Sequence, residues 1–231
     1  MLSVTGFLLS YIKYGDNDCV LHCFTKEKGS QSFFVRGIYS KKNKKKAYLL
    51  PLAELCLTVD GRHKDQTLLP VSKIDLVENP DFYQSVKASS VVFFVADFLN
   101  QVLKHEHPNP GLYGEILLFL DELEKNHYQS YLVFLLQILQ NSGILPLSGY
   151  EKFLDPETAT YVAAQRHPLF GEDVSALWKL IISSETPYGI QIRGSLKKEF
   201  LDSLLVYCHY HVTDFRTPGS LDIVKQIFAE N

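Results

Sequence analysis

The chain has 231 residues, 46% of them hydrophobic and 21% charged, with a formal net charge of −3. That composition is ordinary for a soluble globular protein able to bury a sizeable core, in one large domain or two small ones. The overall charge carries no nucleic-acid signal. The two parts differ, however: residues 1–80 carry 12 Lys+Arg against 8 Asp+Glu, a net of +4, and residues 81–231 carry 11 against 18, a net of −7. A basic front and an acidic back suggest two modules with different tasks. Cys19, Cys23, Cys56 and Cys208 form no C-x-x-C pair and sit among apolar residues, so they are expected to be reduced and buried. Met1–Ile12 lacks a basic leader and a small-residue cleavage site, and Val91–Ala96 is far too short to span a bilayer. The expectation is a cytoplasmic protein with no membrane partner.

The first 80 residues predict strands over Val4–Ile12, Asp18–Thr25, Ser30–Ser40, Tyr48–Asp60 and Thr67–Glu78, each rich in β-branched, aromatic or alternating apolar residues. The clearest is Ala53–Asp60, with Ala53, Leu55, Leu57 and Val59 on one face. Turn signals at Gly15-Asp16-Asn17, Lys28-Gly29, Lys41–Lys46 and Asp60-Gly61-Arg62 divide them. Five short strands with no helical period between them predict a small Greek-key barrel of the OB-fold type.

The pattern changes at Asn79-Pro80-Asp81, and from there the period is helical. Helices are expected over Phe82–His105, Gly111–Lys125 (opened by Asn109-Pro110) and Tyr128–Ser142, the last ending at a left-handed Gly143. Asp155-Pro156 is read as the cap of a weaker helix. Asp173–Ser184 and Leu196–His211 follow, the latter with Phe200, Leu201, Leu204, Leu205 and Cys208 on one stripe. Thr217-Pro218 opens the last helix, whose apolar face is Leu221, Val224, Ile227 and Phe228. Strands followed by helices predict an α+β fold with two segregated modules: an OB-fold barrel in 1–80 and an all-helical domain in 81–231.

The strongest local bias is at Phe33, Phe34, Arg36 and Tyr39, followed at once by Lys41, Lys42, Lys44, Lys45 and Lys46. Lysines so close together repel one another unless something anionic neutralises them. A plain solubilising loop would do so with solvent ions. Beside aromatic residues, the same run also suits a phosphate grip with base stacking. Strand alternation puts Phe33 and Phe34 on opposite faces, so only one of them is free to stack. Phe34 or Tyr39 is the candidate, with Arg36 and the five lysines as phosphate ligands.

His105-x-His107 and Cys208-His209-x-His211 resemble fragments of metal sites, but residues two apart on a helix point nearly opposite ways. They are read as ordinary surface and core histidines, and no metal or cofactor is expected. No G-x-S-x-G, P-loop, G-x-G-x-x-G or H-E-x-x-H occurs, so nothing supports an enzyme. Asp121, Glu122 and Glu124 read as a solvated helix face, and Asp16 and Asp18 as turn residues.

Gly6-Phe-Leu-Leu9, Tyr14-Gly-Asp-Asn-Asp18, Phe24-Thr25-x-x-x-Gly29, Arg36-Gly37 and Leu50-Pro-Leu-x-Glu54-Leu55 together resemble the N-terminal half of the RecO family of bacterial recombination mediators. Leu139–Pro146, Tyr207–Phe215 and Ser220–Phe228 are similar to its C-terminal half. The resemblance implies binding of single- and double-stranded DNA, annealing of complementary strands and help in loading recombinase. It implies two protein partners, RecR and the acidic C-terminal tail of single-stranded DNA-binding protein. Some members carry a four-cysteine zinc module in the C-terminal half; here that half has only Cys208, so zinc is not expected. An acidic tail needs a basic rim, for which Lys179, Arg193, Lys197 and Lys198 are candidates. A non-enzymatic mediator of DNA repair is the leading expectation, and an OB-fold adaptor of RNA or ribosomes is the alternative.

Overall fold

The computed structural model describes residues 1–60, 62, 66–78 and 80–229. Gly61 of the predicted Asp60-Gly61-Arg62 turn and Asn79 of the predicted boundary lie outside the described residues. The described chain divides into two compact units, Met1–Tyr113 with Pro218–Val224, and Gly114–Thr217 with Lys225–Asn231.

The first unit holds β1 (Leu2–Tyr14), β2 (Asp18–Thr25), β3 (Gly29–Val35), β4 (Glu54–Val59) and β5 (Leu68–Leu76). They close into a barrel in the order β1-β2-β3-β5-β4, with β4 paired back onto β1. The β3–β5 pair is parallel and the others are antiparallel. This is the expected OB-type barrel, and closure leaves no open sheet edge. Alternation works as the sequence requires. Leu55, Leu57 and Val59 point inward with Val4, Leu8, Leu21, Phe33 and Leu69 to form the core. β1 buries both faces: Val4 and Leu8 join the core, and outward Phe7 packs on Tyr113 with ring centroids 4.7 Å apart, while the register with β2 shifts between Leu8 and Ser10.

Three predicted strands are shorter than expected, the fifth only at its ends, spanning Leu68–Leu76 rather than Thr67–Glu78. The third ends at Val35 rather than Ser40, and Arg36–Ser40 form a turn. The fourth starts at Glu54 rather than Tyr48, because Lys45–Tyr48 wind into a 3-10 turn and Leu52 takes a left-handed φ of 58°. Leu52 is held there by its N–H to the Leu8 carbonyl at 2.7 Å, while Leu8 N–H donates to the Ala53 carbonyl at 3.0 Å.

The helices are α1 (Val86–Val102), α2 (Pro110–Glu124), α3 (Tyr131–Asn141), α4 (Glu172–Ser183), α5 (Gly194–His211) and α6 (Leu221–Ala229). Asn109 caps α2 through Gly111 and Leu112 N–H at 3.0 and 3.2 Å, with Pro110 in the first position as predicted. Gly143, at φ 72°, ends α3, and Ile144 N–H returns to the Leu139 carbonyl at 2.8 Å. In the second unit Trp178 is fully buried against Phe170, Phe200 and Tyr207, and its indole N–H donates to Ser203 at 2.9 Å.

The expected helix after Asp155-Pro156 is instead a hairpin, β6 (Phe153–Asp155) and β7 (Thr160–Val162). Asp-Pro opens a tight turn as readily as a helix. Here the Asp155 carboxylate accepts from Glu157 N–H, the Thr158 hydroxyl and Arg166, at 3.2, 2.9 and 3.0 Å, and Ala159 closes the turn at φ 52°. The C-terminal part is therefore helical with one small hairpin rather than all-helical.

Candidate nucleic-acid interface

The turn that carries Arg36 and Tyr39 is built by its neighbours in the β1–β2 connection. Gly15 turns that connection at φ 58°, and Gly37 turns the chain after β3 at φ 66°. Asp18 accepts the Gly37 N–H at 2.8 Å, and the Asn17 carbonyl accepts the Tyr39 N–H at 2.9 Å. Asp18 is thus a turn lock, in line with its expected role.

Phe33 is fully buried in the barrel core, so Phe34 is the half-exposed member of the pair. Phe34 lies cross-strand from Val20 and Pro70, edge-on to exposed Tyr14 at 5.7 Å, with the Arg36 guanidinium 6.0 Å from its ring. Tyr39 is half-buried against the barrel core, with Lys13 and Lys46 ammonium groups 5.8 and 5.5 Å from its ring. Its hydroxyl is pushed above the ordinary tyrosine range by burial first, then by Tyr11 and Cys19.

Lys41, Lys42, Lys44 and Lys46 are exposed, as a phosphate grip requires. Lys45 is half-buried and turned back onto β5. Its ammonium donates to the Ile74 carbonyl at 2.5 Å and lies 3.3 Å from Asp75. Asp75 also pairs with Lys73 at 2.6 Å. Its carboxyl is held below the usual range, first by the Lys73 hydrogen bond and then by Lys45. Asn43 organises the loop, accepting from Lys45 N–H at 2.9 Å and donating to the Gly37 carbonyl at 3.1 Å.

Sequence reading missed Lys13 and Tyr14, which reach the same region from the end of β1. The signal was in the hairpin: once Asp18 faces Tyr14, Lys13 faces Cys19 and Val35 lies beyond it, so Lys13 stands beside the turn after β3.

Several titratable groups elsewhere have structural partners. His209 lies 3.2 Å from the Thr217 hydroxyl and His211 2.7 Å from the Pro156 carbonyl. Glu115 is buried and accepts the Tyr188 hydroxyl at 2.5 Å; burial raises its carboxyl above the ordinary value, and the tyrosine opposes that. Cys23 and Cys208 are buried thiols pushed up by desolvation, and Cys19 is pushed up to about 11 by burial and Asp18. Among the described residues no group of three metal-ligating side chains converges, and no helix is long and apolar enough to cross a membrane. In the second unit Lys179 donates to the Glu151 carbonyl and Arg193 lies 3.7 Å from Asp173.

Residues 1–80 match the family described as Recombination protein O N terminal. The DNA repair protein RecO of Flavobacterium psychrophilum is 26% identical over 239 residues, covering 99% of each chain. That of Azobacteroides pseudotrichonymphae is 26% identical over 248 residues, covering 99% of this chain and 100% of the other. That of Phocaeicola vulgatus is 25% identical, covering 97% and 98%. With its barrel matched by the family model and relatives of one name aligned from end to end, the chain is similar to the RecO family along its whole length.

Proposed function

We propose that this protein is a non-enzymatic mediator of recombination in DNA repair, working in the cytoplasm. Residues 1–80 bind single- and double-stranded DNA, and residues 81–231 tether protein partners. The observation that carries the reading is one barrel region where Arg36 lies over half-exposed Phe34 and four exposed lysines follow within ten residues. Phosphate contacts by Arg36, Lys41, Lys42, Lys44 and Lys46 supply sequence-independent, salt-dependent affinity, and Phe34 offers a ring to a base. Neutralising two strands at once favours annealing of complements. Recombinase loading then follows from partner tethering, with RecR and the acidic tail of single-stranded DNA-binding protein as the partners. Lys179 and Arg193 are already engaged, so Lys197 and Lys198 at the start of α5 are the better basic contacts for such a tail.

The test is binding of a fluorescent single strand across a salt series. Changing Lys41, Lys42, Lys44 and Lys46 to alanine is expected to lower affinity and to flatten the salt dependence, by about 0.7 in log–log slope for each phosphate no longer neutralised. Unchanged affinity and slope would falsify the assignment. Matched RNA competing as well as DNA would move the reading to an RNA-binding adaptor.

A further inference from the structure

Tyr39 stands beneath two ammonium groups from distant parts of the chain. Lys13 lies near the end of β1 and Lys46 in the 3-10 turn, with their Nζ atoms 5.8 and 5.5 Å from the ring centroid. Among the described residues neither has a carboxylate within 4 Å, whereas the neighbouring Lys45 and Lys73 share Asp75. One aromatic ring attracts both ammonium groups, each of which lies within cation–π range of it. The site is also rigid. Tyr39 packs on the barrel core, and its N–H is bonded to Asn17. A half-buried ring approached by two ammonium groups is better suited to holding those cations than to stacking a base.

We infer that Lys13, Tyr39 and Lys46 form a clamp for backbone phosphate, in which Tyr39 is a positioning residue that gathers two ammonium groups and stacks no base. The inference rests on the reading that the barrel's basic region binds nucleic acid. It adds Lys13 to that site and changes the task of Tyr39. The ligand recognised is the phosphodiester itself, whatever base it carries.

The experiment compares a fluorescent oligothymidylate with an abasic oligomer of equal length, over salt from about 50 to about 200 mM. Lys13→Ala is expected to weaken binding of both about three- to tenfold and to lower the salt slope by about 0.7. Tyr39→Leu should weaken both oligomers alike and also lower the slope, while Tyr39→Phe, which keeps the ring, should bind as the unaltered protein does. Two results would overturn the clamp: wild-type affinity and slope in Lys13→Ala, or a Tyr39→Leu loss confined to the base-bearing strand at unchanged slope. The second would make Tyr39 a stacking residue. Should Tyr39→Leu fail to fold, exposed Lys13→Ala decides the matter alone. Failure of the wider reading looks different, because then the unaltered protein binds neither oligomer, or binding survives loss of Lys41, Lys42, Lys44 and Lys46. The clamp falls with it in that case.

Discussion

In the barrel unit the residues that set the architecture sit in turns, whereas in the helical unit they sit in the core. Thr25 closes the β2–β3 turn by donating to the Gly29 carbonyl at 2.9 Å and accepting from Lys28 N–H at 3.0 Å. Gly29, at φ 67°, brings the next residue onto the Glu106 carbonyl, which accepts the Ser30 N–H at 2.8 Å. Asp18 holds Gly37, and left-handed Leu52 leads into β4. The helical unit depends instead on a large buried side chain, Trp178, whose one polar atom is satisfied by Ser203. The difference is physical. A closed barrel pairs every strand, so its shape and its exposed ends are decided where the chain reverses. A helix satisfies its own backbone, so what decides its place is the face it buries.

The comparison predicts that adding one methyl group to the barrel is as harmful as removing an indole from the helical unit. In Gly29→Ala the new Cβ would collide with the Glu106 carbonyl oxygen and a His107 backbone carbon, at a φ that alanine disfavours. A cost of about 3–5 kcal/mol is expected, matching the large-to-small cost for Trp178→Ala. Hydrogen exchange should lose protection in β1–β3 for the first variant and in α4 and α5 for the second. Full protection of β2 and β3 in Gly29→Ala would show that the turn yields, and that the contrast between the units is wrong.

A smaller effect is expected at Tyr188, the donor to buried Glu115. Burial sets the Glu115 pKa above its unfolded value near 4.5. The folded chain therefore takes up the proton more readily than the unfolded chain. The cost of the buried carboxylate is present at neutral pH, declines as pH falls through the folded pKa, and is gone below the unfolded one. Tyr188→Phe removes the opposing hydrogen bond, which costs roughly 1–3 kcal/mol at neutral pH and less in acid. Urea unfolding followed by Trp178, the chain's one tryptophan, reads this unit directly. Equal losses at both pH values would mean that Glu115 is already protonated at neutral pH.

Much of the fold was legible because it is periodic. Alternation placed Leu55, Leu57 and Val59 inside, and the helical stripe of α5 placed Phe200, Leu204 and Cys208. Gly143 and Asn109-Pro110 marked helix ends by their own stereochemistry. What failed was local chemistry with two outcomes. Asp155-Pro156 suits a helix cap and a hairpin turn alike, and only Thr158 and Arg166 decide between them. Strand propensity carried Arg36–Ser40 past the point where Asp18 bends the chain. The candidate interface was half legible. Its lysine run is visible in one dimension, but Lys13 joins it only through the β1–β2 register, and nothing local distinguishes Lys45 from its neighbours.

Lys45 is where the turn-based account of the barrel meets the charge-based account of the site. Its ammonium is half-buried against the Ile74 carbonyl and Asp75, while the flanking lysines are exposed. If the loop is positioned by its turn contacts, Lys45→Met keeps the aliphatic stem, loses a partly exposed ion pair and costs about 1 kcal/mol or less. The same variant should leave the salt slope of single-strand binding close to that of the unaltered protein, whereas Lys44→Ala lowers it by about 0.7. Any weakening in Lys45→Met would then come from a looser loop, at nearly constant slope. A slope reduced as far as in Lys44→Ala would mean that Lys45 leaves Asp75 for a phosphate on binding. The loop would then be held by its ligand rather than by the barrel.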